Sequence, residues 1–162
     1  MKQDRFLTGI LVGIAVLVVI ALIVFFLRQN SQSYLSEELP EGVVHNYVLA
    51  VLNGDYEKAY GYLADLDKKP TYEQFRDAFI TGAVNPNNSA VDIGDSEITG
   101  ETASVEVAFI YNPSDPFSTG YRDVQRAILI NQNGVWKLSS MPDYYFWDYN
   151  WYPQVEATPS IK

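Results

Sequence analysis

One unbroken apolar run and two periodicities divide the chain. Residues 6–27, FLTGILVGIAVLVVIALIVFFL, are 22 positions without a charge. As a helix this run extends roughly 33 Å, against a hydrocarbon thickness of about 30 Å. From residue 41 the spacing is helical. Val44, Tyr47, Val48 and Val51 recur at i, i+3, i+4 and i+7 and predict a helix over 41–52. Asn53-Gly54 ends it with a left-handed cap, and Asp55 opens a second helix on which Tyr56, Ala59, Tyr60 and Leu63 repeat the spacing. TYEQ, residues 71–74, is a capping box that starts a third, short helix burying Tyr72, Phe75 and Phe79. TGAVNPNNS, residues 81–89, is a loop by its Gly, Pro and Asn content.

From residue 90 the period becomes two. A short strand is expected over 90–98. In the strand 102–111, Ala103, Val105, Val107, Phe109 and Tyr111 share one face. A second long strand runs over roughly 121–131, and NQNG, residues 131–134, turns it into VWKLSS. Helices followed by antiparallel strands give an α+β domain of about three helices packed on a sheet. AILI, residues 127–130, is apolar on both faces, which predicts a cover on each.

The apolar run exceeds the roughly 7–15 residues of a signal-peptide core and ends in Phe25, Phe26, Leu27 and Arg28, without a small-residue cleavage pattern, so it reads as a retained single-pass anchor. Lys2 and Arg5 precede it, whereas Arg28 is followed by Glu37, Glu38 and Glu41. The positive-inside rule therefore puts the N-terminus in the cytoplasm and the domain outside the cell membrane. Within the span, Gly9 and Gly13 form a G-x-x-x-G at which two helices could pack. The resulting organisation is a cytoplasmic N-terminus (1–5), a transmembrane helix (6–27), a polar tether (28–39), a domain (40–141) and an aromatic tail (142–162). As a random coil the tether would span roughly 20 Å.

The chain has no Cys, which removes disulfides, a lipoprotein anchor and a Cys nucleophile. Residues 29–162 carry 19 acidic and 8 basic side chains. Nucleic acid and anionic lipid headgroups are therefore poor partners.

AVLNGDYEKAYGYL, residues 50–63, and ILINQNGVWKLSS, residues 128–140, together resemble the nuclear transport factor 2-like (cystatin-like cone) superfamily over about residues 40–141. The resemblance implies a curved antiparallel sheet wrapped around helices. It also implies an interior that can hold a small apolar ligand, and a convex face often covered by a partner. Superfamily members include isomerases, dehydratases, cyclases and membrane-anchored domains without known activity, so no catalytic residue is implied here.

The candidate chemistry is sparse. His45 is the sole His and sits beside Val44 at the edge of the apolar stripe, a weak catalytic candidate and by default a structural residue. Asp65 and Asp67 suggest a calcium loop, but Lys69, Pro70 and Arg76 occupy its fifth, sixth and twelfth positions. Asp92, Asp95 and Glu97 read as a solvated acidic edge. Glu106 and Arg126 fall on neighbouring strands as a cross-strand pair. Asn87 heads a formal glycosylation sequon. Phosphate loops, nucleophile elbows and His-metal motifs are absent, so no cofactor or metal is expected.

The strongest signal is the tail. Between Tyr144 and Tyr152, seven of nine residues are aromatic: Tyr144, Tyr145, Phe146, Trp147, Tyr149, Trp151 and Tyr152. These rings could cover the domain's own core, a protein partner or second copy, or a membrane interface. Asp143 and Asp148 and the absence of nearby basic residues argue against the membrane. The sequence thus predicts a non-catalytic, membrane-anchored assembly module meeting a protein partner through the convex face and these seven rings. The alternative is a cone that binds or transforms a small apolar ligand.

Overall fold

The computed structural model describes residues 5–29, 33–86, 89–111, 121–142 and 145–152, with side chains in the first helix described at 9–24. The chain divides into two units, one up to Ser33 and one from Tyr34.

The first unit is a single helix, α1 (Arg5–Gln29). Its apolar side chains are exposed on every side, for example Leu11 at 61%, Val16 at 52% and Leu17 at 67%. Among the described residues no helix is long and apolar enough to cross a membrane.

The second unit is an α+β domain. Helices α2 (Pro40–Leu52), α3 (Tyr56–Gly61) and α4 (Tyr72–Ile80) precede strands β1 (Ser89–Thr99), β2 (Thr102–Tyr111), β3 (Tyr121–Gln132) and β4 (Val135–Ser140). The strands form one antiparallel meander in the order β1-β2-β3-β4.

Local chemistry explains most boundaries. Pro40 opens α2, where a missing N–H costs nothing. The Asp55 carboxylate accepts from Lys58 N at 3.2 Å and starts α3. Both halves of the α4 capping box form: Gln74 N donates to Thr71 Oγ1 at 3.3 Å, and Thr71 N donates to Gln74 Oε1 at 2.9 Å. Asn133 and Gly134 have φ of 57° and 85°, the left-handed pair that a two-residue hairpin needs.

β1 is longer than its sequence suggests, because a bulge between Ile93 and Ser96 shifts the register and hides the alternation. Gly94 sits in that bulge, where a Cβ would come within 3.2 Å of Glu106 Cβ.

The core lies between the helices and one sheet face. Val43, Val44, Tyr47 and Val51 of α2 meet Val105, Val107 and Phe109 of β2, with Ala127, Leu129 and Leu138 alongside. The inner face of AILI is covered by the domain's own helices. Ala127 and Leu129 are fully buried, while Ile128 and Ile130 are half-exposed on the outer face. The charged pairing also differs. Arg126 lies opposite Glu106 in register, but its guanidinium reaches across β2 to Glu97 at 3.1 Å. Arg122 likewise pairs with Asp92 at 3.2 Å.

The free edge of β4 is partly closed by the chain itself. Leu63 bridges Leu138 in parallel: Leu138 N donates to Tyr62 O and Ala64 N donates to Leu138 O, each at 2.8 Å. Gln132 adds a two-pronged clasp on the Asp65 backbone, accepting from its N at 2.9 Å and donating to its O at 3.0 Å. The helical spacing placed Leu63 on α3, but that helix ends at Gly61 and Leu63 instead makes this isolated bridge.

Candidate functional site

The aromatic tail turns back from β4 into the domain. Met141, immediately after β4, is fully buried, and Phe146, Trp147 and Trp151 follow at 0, 2 and 4% exposure. The rings form a continuous stack. Phe146 lies 6.2 Å from Phe109 of β2, and Trp147 meets Tyr47 of α2 edge-on at 6.3 Å. Trp147 also packs on Trp151 at 5.2 Å, and Trp151 lies 4.8 Å from Phe75 of α4. Tyr152 stacks on Trp147 at 5.6 Å, and its hydroxyl donates to the Ala64 carbonyl.

These residues are therefore core rather than accessible contact surface. Of the seven tail aromatics, Tyr145 and Tyr152 are partly buried against the core, Tyr149 is 51% exposed, and Tyr144 lies outside the described residues. The sequence expectation of a partner-facing ring cluster is corrected for Phe146, Trp147 and Trp151. Burial of such rings inside their own domain leaves nothing for a partner to desolvate.

A fully buried polar contact also fixes the closure. Tyr47 Oη donates to the Phe146 carbonyl at 2.6 Å in a fully buried setting. Burial, with a smaller contribution from Tyr152, pushes the Tyr47 phenol well above its ordinary pKa. Burial likewise raises Tyr152.

A second constellation lies around the middle of α2. Asn46 is fully buried. Its Oδ1 accepts from Leu35 N at 2.7 Å, and its Nδ2 donates to Leu35 O at 2.9 Å, so the amide imitates a strand partner. Gly42 leaves room for the same segment, since a Cβ there would sit 1.9 Å from Ser36 O. Tyr62 Oη donates to Glu37 Oε1 at 2.8 Å, and Lys58 Nζ lies 3.2 Å from the centroid of Tyr34. Tyr62 is raised in pKa by burial first and by Glu37 second. Residues 34–39, expected as part of a random-coil tether, are instead pinned to the domain.

His45 is half-buried, with Nδ1 3.4 Å from Asn46 Oδ1. It belongs to this structural cluster. Among the described residues no group of three His, Asp or Glu is placed to hold a metal ion. Asp65 instead pairs with Lys69 at 2.9 Å, and that hydrogen bond and charge hold its carboxyl below the usual range. Gly9 and Gly13 of α1 both face open space, and Asn87 lies outside the described residues.

Sequence reasoning missed Asn46 and Gly42. A faint signal existed for the first: Asn46 stands three residues after Val43 and four before Ala50, a polar side chain on the apolar stripe. Buried amides of that kind need partners.

A pocket of about 330 Å³ lies at the helix ends, lined by residues of α2, α3, α4 and the turns that follow α2 and α4, including Val51, Tyr56, Phe79 and Val84. Among the described residues none of the sheet lines it.

No known protein family and no curated protein matches this chain. Three solved structures are similar to this chain at low scores. A SEC-C motif containing protein from Rhodopseudomonas palustris is 14% identical, with a TM-score of 0.45 over 65% of this chain and 79% of that one. A cystatin-fold protein from Novosphingobium aromaticivorans is 11% identical, with a TM-score of 0.43 over 62% of this chain and 95% of that one. A protein described as a nuclear transport factor 2-like transpeptidase from Campylobacter jejuni is 13% identical, with a TM-score of 0.41 over 63% and 98%. The last two carry the fold names that the sequence resembles. At these scores the α+β description rests on the chain's own elements.

Proposed function

We propose that this chain is a membrane-anchored, non-catalytic binding module whose exported domain meets a protein partner through its outer sheet face. The observation that carries the non-catalytic reading is the filling of the sheet–helix interior by Phe146, Trp147 and Trp151. A cone that worked on an apolar ligand would need that space for the ligand and a convergent polar pair beside it. The rings that occupy it weigh against the enzyme alternative.

Support for the anchor comes from the 22 uncharged positions and from the continuous helix Arg5–Gln29, apolar all round. Gly9 and Gly13 would be the point of closest approach for a second span. Support for the partner face is the row Val124, Ile128 and Ile130 on β3. Val124 is 46% exposed and the other two are half-exposed, flanked by the ion-paired Arg122 and Arg126. An apolar centre with a charged rim is the usual anatomy of a protein interface. Of the tail, Tyr149 alone is exposed enough among the described rings to add to such a contact.

Co-purification from gently solubilised native membranes tests this, comparing the parent chain with Val124→Glu, an exposed position whose change leaves the core intact. A defined partner should accompany the parent and be lost from the variant. A partner retained equally by both, or absent from both, sinks the proposal.

A further inference from the structure

The segment 34–39 is held by its backbone and its polar atoms, not by its apolar side chains. The Asn46 amide takes Leu35 N and Leu35 O, Gly42 gives room to Ser36 O, and the Tyr62 hydroxyl donates to the Glu37 carboxylate. The leucines stay outside this grip. Leu35 is 51% and Leu39 53% exposed, with Tyr34 beside them at 37%.

Leu39 stands at the N-cap of α2, with an extended backbone and no side-chain cap hydrogen bond. Ser, Thr, Asp or Asn there would satisfy a free amide of the first turn, which a leucine cannot do. Its side chain therefore neither fills the core nor caps the helix. Leu35 likewise serves the clasp through its main chain alone. Apolar side chains gathered within six residues, and left out of the domain's own packing, mark a contact surface.

Chain length selects the cover. Gln29 ends α1 and Tyr34 follows five positions later, at most about 18 Å of extended chain. On the membrane-anchored reading above, on which this inference rests, the uncharged run stops at Leu27, so Gln29 falls at the level of the lipid headgroups. Tyr34, Leu35 and Leu39 are then tied within reach of the boundary between headgroups and acyl chains, where tyrosines collect and apolar side chains are desolvated. Lys58 Nζ, 3.2 Å from the centroid of the Tyr34 ring, adds an exposed ammonium suited to a lipid phosphate. Glu37 and Glu38 in the same segment would be repelled by an anionic surface, so the charge selects a zwitterionic one. We propose that Tyr34, Leu35 and Leu39 form a membrane-facing ledge that enters the headgroup boundary of a zwitterionic bilayer, with the Asn46 clasp holding the domain to it.

The test uses the full chain in phosphatidylcholine nanodiscs. Because the sequence has no Cys, Leu35→Cys, Leu39→Cys, Leu52→Cys and Val16→Cys each carry one environment-sensitive fluorophore, at positions exposed in the parent. Nitroxide lipids labelled at a shallow or a deep acyl carbon serve as quenchers. The probes at 35 and 39 should be blue-shifted and quenched roughly twofold or more by the shallow nitroxide, as expected of side chains at the interface. The probe at 52, at the far end of α2 and about 20 Å from Leu39 along the helix, should stay in water. Val16→Cys reports the anchor and should be quenched by the deep nitroxide. Without that quenching the anchored reading fails and the ledge fails with it. Deep quenching at 16 with aqueous probes at 35 and 39 overturns the ledge alone. So does a blue shift at 35 and 39 without lipid quenching, which means that protein covers them, or equal quenching at 52, which means that the domain merely adsorbs.

Discussion

Tyr47 and Phe146 stand 99 residues apart in the chain, yet the Tyr47 hydroxyl donates a 2.6 Å hydrogen bond to the Phe146 carbonyl inside the core. This bond joins the first helix of the domain to the segment that closes it. With the Tyr152 hydroxyl on the Ala64 carbonyl, it adds polar contacts to a largely aromatic seal.

Removing the Tyr47 hydroxyl leaves the Phe146 carbonyl buried without its donor. Tyr47→Phe should therefore cost about 1–3 kcal/mol, the range for an orphaned buried acceptor. Equilibrium denaturant unfolding of the domain measures it. A cost near zero would mean that the carbonyl finds water and that the seal is looser than its packing.

Trp151 ties the tail to α4 through Phe75 and Phe79, at ring distances of 4.8 and 6.0 Å. Trp151→Ala should destabilise the domain by about 3–5 kcal/mol through the cavity it opens. Truncation after Met141 removes Phe146 and Trp147 as well and should leave a chain that does not hold its fold, seen as loss of near-UV circular dichroism. A stable, cooperative truncated chain would return these rings to the list of partner contacts.

The pinned segment 34–39 depends on the Asn46 amide. Asn46→Asp keeps an acceptor for Leu35 N but sets a carboxylate against Leu35 O. It should raise the hydrogen-exchange rate of the Leu35 amide at least tenfold and cost about 1–3 kcal/mol. Gly42→Ala should free the same segment by collision with Ser36 O, which a Cβ would approach to 1.9 Å. Exchange at Leu129, in the sheet, reports whether the effect stays local.

Alkaline stability follows from three phenols. Tyr47, Tyr62 and Tyr152 all have folded pKa values raised above the ordinary 10.0, chiefly by burial. Above that pH the unfolded chain loses these protons while the folded domain keeps them. The stability they provide is complete below about pH 10 and declines as pH rises beyond it. Tyrosinate absorbance should show these groups ionising together with unfolding. Independent ionisation near pH 10 in a still-folded domain would refute the assignment.

Much of the frame was legible because it rests on local chemistry. The capping box at Thr71 and Gln74, the Asp55 cap, the Asn133-Gly134 turn and the alternation of β2 each involve residues a few positions apart, where backbone sterics and short-range hydrogen bonds dictate the outcome. The bulge in β1 was not legible, because one extra residue erases the alternation by which a strand is recognised. Nor was the route of Arg126, which lies opposite Glu106 in register but pairs with Glu97 one strand further on.

The sequence by itself determined that seven crowded rings follow the last strand and that much of this apolar surface needs a cover, because surface of that extent cannot stay solvated at no cost. Which surface would cover them was a long-range question. Only the tertiary structure brought Tyr47, Phe75 and Phe109 to one side of the sheet, leaving a space that Phe146, Trp147 and Trp151 fill. The same holds for Asn46, an unremarkable polar residue in the helix pattern, which became a clamp only when the fold brought Leu35 back against it. Contacts that depend on the meeting of distant segments leave no periodic mark in the chain.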